Sequence, residues 1–115
     1  MKPVLGCPVK ATTKVMAGKW KVAILWNLSF GRKRFAQIRN LLDGVSEKVL
    51  TEQLRQLEKD GVVRRLITHS VPPRVDYELT AAGNELVPVM QAMCDWGSKY
   101  LGVMPTMPRA VPVSA

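Results

Sequence analysis

Four polar side chains, Lys48, Thr51, Glu52 and Arg55, recur at i, i+3, i+4 and i+7 in a segment that opens at Ser46 and stops at Gly61. At about 100° per residue they share one side of a helix. Lys48 and Arg55 carry donors suited to guanine O6 and N7 or to a phosphate, Thr51 offers a methyl and a hydroxyl, and Glu52 can accept from cytosine N4. The opposite side holds Leu50, Leu54 and Leu57, with Val49 at its margin. Such a helix can anchor one stripe in a core and insert the other into a major groove. Any solvated surface helix also has a charged face, so the flanking elements must decide between the two readings.

Other chemistry has less to work with. There is no Ser/His/Asp set, no paired-carboxylate pocket, no Gly-rich phosphate loop and no Cys/His/Asp cluster at metal-ligand spacing. An enzyme is not expected, and no cofactor or metal is implied. The two cysteines, Cys7 and Cys94, are too few and too distant for a secreted disulfide framework. Cys7 stands just before Pro8, at the N-cap of an expected helix, with Lys2 and Lys10 near in sequence. That setting favours thiolate; the alternative is a thiol that merely packs. Cys94, among Val89, Met90, Met93 and Trp96, reads as a packing residue.

The elements that position these groups follow from caps and periodicity. A first helix is expected from Pro8 to near Gly18, then a central one over Lys19–Ser29 with apolar residues on nearly every side. Phe30–Lys33 reads as a turn, and within the solvated Arg32-Lys33-Arg34 run Arg34 is the side chain chosen to grip a phosphate. Phe35, Ile38, Leu41 and Leu42 mark one face of a third helix, stopped by Asp43-Gly44 with Gly44 in the left-handed C′ geometry. Ser46 then caps the helix described above. Val45 and Leu50 have the spacing of a hydrophobic staple, and Val49 at N3 leaves no capping box.

Val62–Thr68 and Arg74–Leu79 are β-compatible runs joined by His69-Ser70-Val71-Pro72-Pro73, too long and proline-rich for a tight hairpin. Thr80 caps a last helix over Ala81–Leu101, which Pro88 should bend or break, and residues 102–115 read as a disordered tail. The order predicts a mainly α fold with a small antiparallel β-hairpin: a winged helix-turn-helix over residues 1–101. His69 and Arg74 then face the minor groove or its phosphates. The alternative is an ordinary loop stiffened by prolines.

Charge points the same way. The 115-residue chain has a formal charge of +8 and is 47% apolar, enough for a core. Residues 1–39 hold Lys2, Lys10, Lys14, Lys19, Lys21, Arg32, Lys33, Arg34 and Arg39 and no acid. That asymmetry suits a polyanion, by counterion release, without separating DNA from RNA or an anionic membrane. No secretory h-region and no run of ~18 apolar residues is present, so a cytoplasmic location is expected and a membrane span is not.

These residues resemble the HxlR-type winged helix-turn-helix transcriptional regulators of bacteria and archaea. The resemblance rests on Cys7-Pro8-Val9, Gly18-Lys19-Trp20-Lys21 with Ile24-Leu25, Arg34-Phe35, Gly44–Thr51, Leu54–Val63, Val71–Thr80, Gly83 and Trp96, and covers roughly residues 5–100. It implies a homodimer joined through N- and C-terminal helices, with two recognition helices on a palindrome-like double-stranded operator. By this resemblance Ser46, Lys48, Thr51 and Arg55 hold recognition-helix positions and Pro72-Pro73 the wing. Cys7 matches the cysteine through which several members sense electrophiles or oxidants. Two departures stand out: Asp76 replaces the usual Glu before Tyr77, and Thr68-His69 the frequent Tyr-Pro.

Overall fold

The computed structural model describes residues 6–105. Cys7, extended, precedes Pro8 at the first position of helix α1 (Pro8–Val15), whose residues are all at least partly exposed. Only its C-terminal end is pinned, by half-buried Val15 and by Met16, which is buried. Helix α2 (Lys21–Leu28) is the hub: Ile24, Leu25, Trp26 and Leu28 are all buried, as its near-uniform apolarity predicts. It is shorter than the expected Lys19–Ser29.

Strand β1 (Lys33–Arg34) corrects the reading of the Arg32-Lys33-Arg34 run as a solvated turn. Two residues carry no periodicity, and this strand exists only because another strand offers an unpaired edge. Helix α3 (Phe35–Leu41) follows directly, with Gln37 Oε1 accepting from the Arg34 N–H at 2.9 Å. Ile38 and Leu42 are buried, but Leu41 is 52% exposed, so the expected four-residue face is narrower than its spacing implied. Gly44 takes φ +85°, two residues past the Leu42 C-cap rather than at C′.

Helix α4 (Glu47–Lys59) is capped by Ser46 and leads through Gly61 (φ +77°) into strands β2 (Val63–Thr68) and β3 (Arg74–Leu79). The sheet is antiparallel in the order β1-β3-β2, with Arg34 opposite Asp76 on one side and Leu66 opposite Asp76 on the other. Pleating sends Val75, Tyr77 and Leu79 toward the core and Arg74, Asp76 and Glu78 to the outer face. The wing is the five-residue loop between Thr68 and Arg74, which pair.

Helix α5 (Ala81–Leu101) runs unbroken through the exposed Pro88, so the expected interruption does not occur. Its N-terminus is fastened to the end of α4. The Thr80 hydroxyl accepts from the Gly83 N–H at 3.2 Å and donates to the Gly61 carbonyl at 2.6 Å, while the Thr80 N–H donates to Val62 O at 3.1 Å. Gly83 lies so close to the Val62 carbonyl that a Cβ would collide with backbone. Among the described residues no helix is long and apolar enough to cross a membrane.

Two predictions follow from this packing. Gly83→Ala should destabilise the fold by about 1–3 kcal/mol, since the Val62 backbone cannot rotate away; equal urea midpoints for variant and parent would refute it. Burial, followed by the nearby Glu58 carboxylate, pushes the Tyr77 phenol above its ordinary value of 10.0. The folded state therefore holds this proton longer than the unfolded chain does. Its stabilising effect is complete below pH 10 and is lost as the pH rises through the folded-state value. Alkaline unfolding curves should diverge between wild type and Tyr77→Phe above pH 10, and parallel curves would contradict the assignment.

Candidate nucleic-acid interface

Helix α4 is oriented from both ends. Ser46 Oγ accepts from the Val49 N–H at 3.1 Å, satisfying one orphan donor of the first turn. Val45 and Leu50, the residues with staple spacing, are both buried. Leu50, Leu54 and Leu57 are at most 1% exposed, so the opposite face of the helix has nowhere to go but solvent. Lys48, Glu52 and Arg55 are exposed there, as the periodicity predicts.

Thr51 is half-buried and its hydroxyl donates to the Glu47 carbonyl at 2.8 Å. It can therefore offer a methyl group and a lone pair, but its proton is committed. Ser46 differs: its oxygen accepts the cap bond, and its hydroxyl proton is left to donate. Glu52 forms no ion pair with Lys48 or Arg55 among the described residues, so this acid stands free within the cationic face. Glu47 instead meets Arg39 at 3.8 Å, a contact between exposed groups that contributes little.

A second cationic site lies at the base of the wing. Arg34, Ser70, Arg74 and the Val71–Pro73 segment line a cleft of about 470 Å³. Arg34 is exposed and without an ion pair among the described residues. Arg74 Nε lies 3.2 and 3.1 Å from the two carboxylate oxygens of Asp76, whose side chain is only 6% exposed. The loop is shaped locally: Ser70 donates from Oγ to Pro72 O at 2.7 Å and from N–H to Thr68 O at 2.9 Å. His69 is exposed and does not line this cleft.

The anticipated residues thus fall into two groups, Ser46, Lys48, Thr51 and Arg55 on α4, and Arg34 with Arg74 beside the wing. Asp76, the partner of Arg74, is not among the anticipated residues. Alternation along β3 puts it on the outer face, where an acid reads as solvated, yet it is buried with Arg34 and Leu66 opposite it and Arg74 bonded to it. The two cysteines stand apart from both groups. Cys7 is exposed and lines a cleft with Lys10, Lys14 and Asp60; Cys94 is half-buried on α5, in an apolar cleft of about 430 Å³ with Val22, Trp26 and Met93. From the rim of that cleft α5 carries a stripe of exposed apolar residues, Val89, Met93, Trp96 and Tyr100.

Comparison with known proteins matches this architecture. Residues 15–105 fit the family described as HxlR-like helix-turn-helix. The HTH-type transcriptional regulator YdeP of Bacillus subtilis is 47% identical over 95 residues, 83% of this chain and 74% of its own. The structure of the redox regulator HypR in its oxidized form superposes with a TM-score of 0.75 at 42% identity, covering 81% of this chain and 96% of that one. The reduced form of the transcriptional regulator YodB from B. subtilis gives 0.76 at 31% identity, covering 84% and 95%. With its helix-turn-helix, its wing and its long final helix in the same order, this chain belongs to the HxlR-like helix-turn-helix family.

Proposed function

We propose that this protein is a homodimeric, sequence-specific transcriptional regulator, a repressor or autoregulator, that acts on double-stranded DNA in the cytoplasm. The observation that carries the reading is the two-sided α4: three leucines fix it in the core and Lys48, Glu52 and Arg55 stand free on the other side. In the complex α4 enters the major groove, where Lys48 and Arg55 donate to base edges or phosphates. His69 and Arg74 lie against the adjacent minor groove or its phosphates, and Arg34 meets the backbone. Residues 1–101 act as one DNA-binding and dimerisation unit, and the tail expected over 102–115 takes no part; residues 106–115 and 1–5 lie outside those described.

Dimerisation is supported by the stripe of Val89, Met93, Trp96 and Tyr100, whose near-heptad spacing along α5 leaves apolar surface to be covered. A second α5 would cover it and set two recognition helices on a palindrome-like operator. Redox or electrophile control through Cys7 is supported by its exposure beside Lys10 and Lys14, and by likeness to proteins named as redox regulators. Cys94 is kept for packing in this scheme.

Footprinting on the DNA upstream of the protein's own gene should protect a site with two-fold symmetry. Log K should fall steeply with log salt, in proportion to the phosphates contacted. Equal, weak affinity for every duplex would instead leave a winged-helix module whose charge serves only solubility. Lys48→Ala or Arg55→Ala should cost about 1–3 kcal/mol and relax preference at one base position; an unchanged footprint for both would refute the assigned face. Diamide should weaken binding by the wild type and spare Cys7→Ser, and equal loss in both would remove Cys7 from the switch.

A further inference from the structure

The outer face of the sheet holds one charged side chain that is buried. Asp76 is the central residue of a three-strand row, with Arg34 opposite it on β1 and Leu66 opposite it on β2. Residues facing each other across paired strands project to the same side, and so do residues two apart along one strand. Arg34, Asp76 and Arg74 therefore share one patch. Asp76 is 5% exposed and pairs with Arg74 through Nε alone, at 3.2 and 3.1 Å from its two oxygens.

The bonding mode matters. A guanidinium held by Nε keeps its outer Nη edge available, and the Arg74 side chain is 48% exposed. Arg34 makes no ion pair among the described residues, and both arginines line the wing-base cleft with Ser70. A cleft with two guanidinium groups and a single neutralised acid has one positive charge in excess. Its chemistry suits one tetrahedral oxyanion.

We propose that Asp76 is a positioning residue for phosphate capture: its buried carboxylate holds Arg74 so that Arg74 and Arg34 close on a single DNA backbone phosphate at the base of the wing. This rests on the DNA-binding reading above. It gives an acid a favourable part in binding a polyanion, which long-range electrostatics alone would not allow.

The test uses that opposition of sign. Binding of the full chain to a short mixed-sequence duplex is measured across a salt series, because a phosphate contact needs no particular sequence. Asp76→Asn removes a negative charge, yet it should weaken binding about fivefold and make the slope of log K against log salt shallower by about 0.9, the loss of one phosphate. Glu52→Gln, removing an exposed acid, should tighten binding and serves as the control of opposite sign. Asp76→Glu should restore most of the affinity, and Asp76→Asn should add nothing in an Arg74→Ala background, since it acts through that arginine.

Should Asp76→Asn not fold, Arg74→Lys carries the same test. It keeps the charge but loses the fork, so it should bind as weakly as Arg74→Ala. Tighter or unchanged binding by Asp76→Asn, or wild-type affinity in Arg74→Lys, overturns the positioning role while leaving DNA binding intact. A wild-type chain with no salt-dependent affinity for duplex overturns both readings.

Discussion

Everything that faces outward in this fold depends on one small junction where α4 ends and α5 begins. Thr80 spans it with three hydrogen bonds: from its N–H to Val62 O, from its hydroxyl to Gly61 O, and from the Gly83 N–H back to that hydroxyl. The carbonyl of Gly61 belongs to the turn that ends the candidate recognition helix, and Gly83 opens the helix that carries the exposed apolar stripe. One residue thus ties the end of one to the start of the other. The position tolerates no bulk, because Gly83 rests on the backbone of Val62. The same turn delivers the chain into β2, so the candidate recognition helix, the wing and the final helix all connect to this junction.

Acids in a basic protein are usually assigned to solubility, but their surroundings give them different work here. Glu78 pairs across strands with Arg64 in an exposed contact that mainly balances charge. Glu52 has no ion-pair partner among the described residues and lies where a base edge could find it. Asp76 is withdrawn from water and committed to one guanidinium. A buried carboxylate must be paired to be tolerated, so its arginine is fixed in return. The three share a formal charge and differ in freedom, and freedom decides which of them can orient a neighbour.

Much of this was readable from the sequence because the signals were local. Ser46 and Thr80 act as caps where their side chains predict, and the leucine period gives α4 its inside and outside. Strands β2 and β3 emerge from their β-compatible runs almost to the residue. What escaped was non-local. Lys33–Arg34 becomes a strand only against β3, and Asp76 is buried where Arg34 and Leu66 lie opposite it and Arg74 pairs with it. Leu41 fits the helical face by spacing, yet α3 ends there and leaves it in solvent. Pro88 costs α5 one backbone donor, but the flanking turns carry the helix across.

Helix α1 has a mechanical consequence that its plain appearance conceals. It buries none of its residues, and only Val15 and Met16 at its far end engage the core. Swinging the helix outward would forfeit almost none of the apolar contact on which folding rests, so its position is thermodynamically cheap to alter. Cys7 stands at the N-terminal end of this helix, remote from the anchor at Val15–Met16. Chemistry at the tip could therefore redirect the helix without threatening the body of the protein. It would do so beside the C-cap of α4 rather than through the core, because Asp60 lines the cleft in which that thiol lies.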